Sequence, residues 1–281
     1  MKTRILTAAV ALPLLIAAIV LPKYLPGTEW VFVIIAVIAI LAGLFEFYSL
    51  TKKLELKADA SVGYLIAAAL VVAFIFDAPG RAPDLLLLTI AAAVIITLIT
   101  QTFRFRPDFS KMAAGTAVTL LGVFYVVFLG GFLVSVRIGF DYPQNLSSHL
   151  LGFYFLVIMG ADTGAYFAGR FFGRHKLAPR ISPGKTIEGL IAGLASAALA
   201  AFIANRTFFQ ELILWHGILL AVIMAAVSVL GDLAESALKR GSGEKDAATF
   251  LPGHGGLLDR LDSLLFNAPI LYYFARYYFG Q

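Results

Sequence analysis

Nine runs of about 20 apolar residues divide the chain, near 5–22, 29–49, 61–77, 84–102, 113–136, 148–169, 187–205, 211–231 and 260–279. The hydrocarbon core of a bilayer is about 30 Å thick and takes about 20 residues of α-helix to cross. A mean hydropathy of +0.88 with only 14% charged residues excludes an ordinary soluble domain. The expected fold is therefore all-α. It is a polytopic membrane protein of about nine transmembrane helices, one integral domain over residues 1–281. N-terminal helices fill 1–140, and the helices and loops that carry chemistry fill 148–281. Lys2 and Arg4 ahead of the first run have the form of a signal peptide, but no small-x-small cleavage site ends that run near Lys23, so the segment is read as retained. Pro13, Pro22 and Pro26 are expected to kink or end the first helix.

Orientation follows from the basic residues. With the N-terminus in the cytoplasm, 17 of the 22 Lys and Arg fall on cytoplasmic segments and 5 elsewhere, the asymmetry that the positive-inside rule asks for. The polar cavity is then expected to face the cytoplasm. The chain has no cysteine, which excludes disulfides, thiolate zinc sites and cysteine nucleophiles.

Against this apolar background the stretch Gly231–Asp262, GDLAESALKRGSGEKDAATFLPGHGGLLDRLD, gathers charge. Asp232, Glu235, Ser236 and Lys239 are spaced i, i+3, i+4 and i+7, one helix face. Asp259 and Asp262 share a face of the next helix. Between them lies a loop with glycines at 241, 243, 253, 255 and 256, which permit φ > 0 and close approach of backbone N–H groups to an anion. Two acidic helix ends joined by a cationic, glycine-rich loop are suited to a metal-and-phosphate site. The alternative is a solvated loop with ordinary salt bridges. Ionisable groups at a membrane boundary are costly, which favours a functional reading.

Two further stretches are polar. The sixth run contains Asp162 with Tyr166 and Arg170 four and eight residues on, along a stripe of small residues from Gly160 to Gly169 that lets helices approach closely. Asp162 either lines a polar cavity or pairs structurally with Arg170 or Lys185. The next stretch, APRISPGKTIEGL, contains G-K-T, but the first glycine of a P-loop would fall at Pro179, and no strand is expected before it. It reads instead as a helix start, with Ser182 as N-cap, Pro183 at the first helical position and Glu188 in an early turn. Lys185 and the helix's positive end then either hold phosphate or simply anchor the interface. Glu46, near the end of the second run, is read as an interfacial charge rather than a ligand.

The string S-A-L-K-R-x4-K-D followed by L-P-G-H-G-G-L-L-D-R-L-D, Ser236 through Asp262 without a gap, resembles the signature of the phosphatidate cytidylyltransferases (CDP-diacylglycerol synthases). D-x-x-A-Y-x-x-G from Asp162 and S-P-x-K-[ST]-x-E-G from Ser182 are similar to other elements of that family, and the likeness runs from about Gly160 to the C-terminus. The resemblance implies an enzyme of a bacterial cytoplasmic (inner) membrane that transfers CMP from CTP to phosphatidate, with no nucleic-acid partner. It implies Mg²⁺, with room for a second cation such as K⁺ and for a homodimer. Asp232 and Asp259 are then the first metal ligands. Asp246 and Asp262 are further ligands or partners that orient Lys and Arg. Lys239, Arg240, Lys245 and Arg260 neutralise phosphates. His254, Gly255 and Gly256 shape the loop around phosphate, with acid–base work by His254 a second reading. Asp162, Ser182, Lys185, Thr186 and Ser236 complete the substrate contacts, Ser236 as a donor rather than a nucleophile.

Three other classes compete. In an ion-coupled transporter the carboxylates would sit at the midplane between repeats; here they gather at one face, and no repeat is visible. A CTP-dependent polyprenol kinase would have related C-terminal helices, but the complete signature favours the cytidylyltransferase. A non-catalytic scaffold would be expected to show a degraded motif, and none is seen.

Overall fold

A computed structural model describes residues 2–54, 56–77, 84–104, 109–140, 145–243 and 256–280, with backbone alone over 2–8. The helices are α1 (Lys2–Val20), α2 (Glu29–Lys53), α3 (Ala60–Phe76), α4 (Leu85–Arg104), α5 (Met112–Gly122), α6 (Leu129–Gly139), α7 (Leu146–Phe172), α8 (Ile187–Thr207), α9 (Leu214–Gly241) and α10 (Leu258–Tyr278). A π-helical segment, Val123–Phe128, joins α5 to α6 in one rod. A hairpin of β1 (Lys176–Ala178) and β2 (Ser182–Thr186) lies between α7 and α8. The chain is thus an all-α polytopic membrane protein. Among the described residues six helices are long and apolar enough to cross a membrane: α2, α4, the α5–α6 rod, α7, α8 and α9. Of the rest, α3 and residues Ala9–Lys23 are shorter apolar stretches. α10 carries Asp259, Arg260 and Asp262 in its first turns.

Local chemistry accounts for several boundaries. Asp59 caps α3 by accepting the Val62 N–H at 3.3 Å, and its other oxygen meets Arg104 at the end of α4 at 3.2 Å. One acid therefore ties a helix start to a helix end. α1 runs through Pro13 and gives way to a 3₁₀ turn that contains Pro22. α9 continues ten residues past the apolar run that forms its body, so Asp232, Glu235, Ser236 and Lys239 ride on the same helix.

Two apolar cores result. One joins α2, α3 and the α5–α6 rod around Leu44, Phe47, Leu70 and Val126. The other joins α7, α8 and α9 around Tyr154, Val157, Ala197 and Ala221. α10 contributes Leu258 and Leu265 to the first and Ala268, Leu271 and Ala275 to the second. α7 and α8 approach most closely at glycines: a Cβ on Gly189 would stand 2.8 Å from the Ala165 carbonyl oxygen, as small-residue helix packing requires.

Candidate active site

A cavity of about 580 Å³ opens between the C-terminal end of α7, the β-hairpin, the start of α8, the polar part of α9 and the first turns of α10. Its wall brings together Asp162, Ser182, Lys185, Thr186, Asp232, Asp259, Arg260 and Asp262. These residues come from three stretches that are well separated in the sequence. Tyr166 and Arg170 also line it, and Arg170 donates to the Tyr166 hydroxyl at 2.8 Å.

The α9–α10 contact places the acids. A Cβ on Gly231 would stand 2.7 Å from the Asp262 carbonyl oxygen, so glycine there lets α9 lie directly against the first turns of α10. Asp232 follows at once. Its carboxylate meets Lys185 at 2.7 Å and accepts from Ser236 at 3.2 Å. Asp259 accepts the Gly256 N–H at 3.1 Å and pairs with Lys239 at 2.7 Å. Lys239 also meets the fully buried Glu235 at 2.5 Å, so one lysine serves two carboxylates. Asp262 accepts the Ser263 N–H at 2.5 Å. Asp162, Asp232 and Asp262 are close enough to repel one another.

The hairpin departs from the sequence-based expectation. Ser182 is not the N-cap of α8, and Pro183 is not its first residue; both lie in β2. Thr186 is the cap, extended at φ −129° and ψ 157°, with its hydroxyl accepting the Gly189 N–H at 3.1 Å. A cap must itself be extended, with the helix starting at the next residue. β2 supplies that geometry four residues later than Ser182, because it pairs with β1 at Lys176↔Thr186 and Ala178↔Ser182. The expectation that no strand precedes G-K-T is corrected with it, while Pro179 still breaks the P-loop pattern. Glu188, in the first turn of α8, accepts the backbone N–H groups of Arg174 and His175 at 3.1–3.2 Å and meets the His175 ring at 2.6 Å. That clasp sets the hairpin over the cavity.

Not every expected residue reaches the wall. Ser236, Lys239 and Gly256 hold the acids from behind. Arg240 turns toward the hairpin and donates to the Ile181 carbonyl at 3.3 Å. Lys245, Asp246, His254 and Gly255 lie outside the described residues. Among the described residues Asp162 forms a salt bridge with neither expected partner, as Lys185 lies on Asp232 and Arg170 on Tyr166, although Lys185 stays near enough to act on it electrostatically. Glu46 is also corrected: it is fully buried rather than interfacial. Its two oxygens accept the Leu257 and Leu258 N–H groups at 2.9 and 2.7 Å. Free N–H groups at a helix start need acceptors, and here the acceptor comes from α2. Sequence reading missed this role, and the only signal for it was an acid inside an apolar run.

The donor set suits a hard cation. Among the described residues no three acids or histidines cluster as a ready-made metal site. Mg²⁺ does not need one, since it is commonly held by one or two carboxylates with water and substrate phosphates. Four aspartates on one wall, two of them neutralised by lysines, fit that mode.

The sequence matches the model of the cytidylyltransferase family over residues 2–278. It is 34% identical to the phosphatidate cytidylyltransferase of Staphylococcus epidermidis over 274 residues, 96% of this chain and 97% of that protein. It is 33% identical to that of Bacillus subtilis over 283 residues, 97% of each. The phosphatidate cytidylyltransferase of Haemophilus influenzae is 50% identical over 129 residues, 44% of this chain and 45% of that protein. Matched along nearly its whole length, and with the three polar stretches of its sequence on one cavity wall, the chain belongs to the cytidylyltransferase family of enzymes.

Proposed function

We propose that this protein transfers CMP from CTP to phosphatidate, giving CDP-diacylglycerol and pyrophosphate. The carrying observation is the cavity, which sets four aspartates with Lys185, Arg170 and Arg260 at the polar end of membrane helices. A phosphate oxygen of the lipid attacks the α-phosphorus of CTP. One P–O bond forms, the α–β P–O bond breaks, and pyrophosphate leaves with its electron pair. The nucleophile is already an anion, so neither a serine nor a cysteine is required. The catalytic demand is for alignment and charge neutralisation, which positioned electrostatics supply.

Asp232 and Asp259, with Asp262 beside them, are the residues that would hold Mg²⁺; the ion would neutralise phosphate charge. The chain's own groups do the rest. Lys185, paired with Asp232 on the wall, is placed to exchange a carboxylate for a phosphate as substrate arrives, while Lys239 holds Asp259 from behind. Arg260 and Arg170 line the same wall and suit phosphate oxygens through their planar donor fork. The basic asymmetry along the chain supports a cavity that faces the cytoplasm, where CTP is available.

The test is an assay of purified protein with labelled CTP and phosphatidate. Labelled CDP-lipid and pyrophosphate in equal amounts are expected. CTP-dependent phosphorylation of a polyprenol, with no CDP-lipid formed, would favour the kinase reading instead.

A further inference from the structure

The π-helical segment VFYVVF, Val123–Phe128, holds one polar side-chain atom, the hydroxyl of Tyr125. A π turn carries an extra residue, re-aims the side chains on it and recurs at functional sites. Tyr125 is 8% exposed, and among the described residues its hydroxyl has no hydrogen-bond partner. A buried hydroxyl left unpaired costs about 1–3 kcal/mol. Its apolar neighbourhood would accept a phenylalanine without that cost, so the question is which acceptor the hydroxyl serves.

The ring's neighbours answer it. Tyr125 sets its edge against Phe266, with centroids 6.0 Å apart and planes at 74°. Phe266 is four residues beyond Asp262, one turn along α10, on the same face. On its other side Tyr125 meets Phe47 at 6.0 Å, the residue after the acid that holds the start of α10. Four carboxylates, Asp262, Glu235, Asp232 and Asp259, lie near enough to act on the hydroxyl electrostatically. Tyr125 is not part of the cavity wall, whereas Asp262 is. The ring is thus buried off the cavity wall, packed on the α10 residue one turn beyond Asp262.

Resting on the reaction proposed above, we propose that Tyr125 is a positioning residue. Its hydroxyl donates a hydrogen bond to the Asp262 carboxylate in the substrate-loaded cavity and holds that acid in its working orientation. Asp262 is anchored on the other side by the Ser263 N–H, so a second donor would fix both ends of the carboxylate. The N-terminal half thereby supplies a group to chemistry that otherwise lies wholly in the C-terminal half.

Tyr125→Phe keeps the ring and its contacts with Phe47 and Phe266 and removes only the donor. The experiment compares wild type, Tyr125→Phe, Asp262→Asn and the double variant in three measurements: CDP-lipid turnover, the affinity for CTP with Mg²⁺ by titration calorimetry, and thermal unfolding. Tyr125→Phe is expected to lower kcat about tenfold, the worth of one hydrogen bond to a charged acceptor. The KM for phosphatidate stays unchanged, and the unfolding temperature of the substrate-free protein does not fall and is expected to rise, because the unpaired hydroxyl is gone. On the Asp262→Asn background the same change adds nothing, because the pair acts as a unit. Turnover and CTP affinity in Tyr125→Phe within twofold of wild type, or losses that simply add in the double variant, would overturn the proposal. If wild type binds CTP but makes no CDP-lipid, the reaction is refuted, and the cycle read on CTP affinity alone decides the role of Tyr125. If wild type neither binds CTP nor makes CDP-lipid, both fall.

Discussion

The residues before α7 and those from α7 onward bury polar groups for opposite purposes. In the first region a buried side chain usually answers a backbone group: the Tyr48 hydroxyl donates to the Thr119 carbonyl at 2.9 Å, and Ser135 to the Phe74 carbonyl at 2.8 Å. Such bonds satisfy helices in lipid and leave nothing over for a ligand. In the second region charged side chains answer one another, Lys185 with Asp232 and Lys239 with Asp259 across elements and Lys239 with Glu235 along α9, and Lys185, Asp232 and Asp259 face a cavity. Polar groups matched to carbonyls are packing devices, whereas clustered charges beside open volume are available for exchange with a charged substrate. Glu46 and, on the proposal above, Tyr125 cross that division as residues of the first region that serve the site in the second.

The sharpest test of that division removes charge from the second region. Asp232→Asn and Asp259→Asn should each keep the fold, since they stay polar and half-buried, and lose about 10²–10³ in turnover, the usual cost of a central charge-stabilising group. The measurement is CDP-lipid formation against Mg²⁺ concentration, with folding followed by size-exclusion profile. Normal turnover with unchanged Mg²⁺ dependence would remove that acid from the cation site.

A change in the first region that reaches the second should have an intermediate effect. Glu46→Ala leaves the Leu257 and Leu258 N–H groups without their acceptor, at about 1–3 kcal/mol for each buried donor. Thermal stability and turnover are both expected to fall, turnover by about tenfold as the start of α10 shifts. Glu46→Gln, which keeps one acceptor oxygen, should recover part of each. Full turnover in Glu46→Ala would show that the first region does not position the site.

The smallest effect is expected where the first region only meets lipid. Leu87 on α4 is 68% exposed in the isolated chain. Leu87→Ala should alter stability by less than about 0.5 kcal/mol, as surface substitutions usually do, and leave turnover unchanged. A loss of turnover there would mean that α4 takes part in substrate handling.

How far the site was legible in the sequence differs by residue. The i, i+3, i+4, i+7 spacing placed Asp232, Glu235, Ser236 and Lys239 on one face, and they ride together on α9. Helix periodicity is a local property, so spacing alone suffices. The N-cap of α8 was misplaced because strand pairing between Lys176 and Thr186, which no local rule announced, carried the chain past Ser182. Arg240 looked like a phosphate ligand by its neighbours in sequence, yet its rotation on α9 turns it to Ile181.

By itself the sequence determined the membrane class, the places of most helices and which stretches are polar. These follow from runs of apolar residues, their length and the isolation of charge among them, all properties of short windows. Only the tertiary structure decided that Asp162, Lys185 and Asp262 share one wall, that Lys239 serves two acids, and that Glu46 holds a helix more than 200 residues away. Such pairings depend on which helix faces pack together. Packing is set by shape at contacts such as Gly231 on Asp262, and shape complementarity between distant segments leaves no periodic trace in either one.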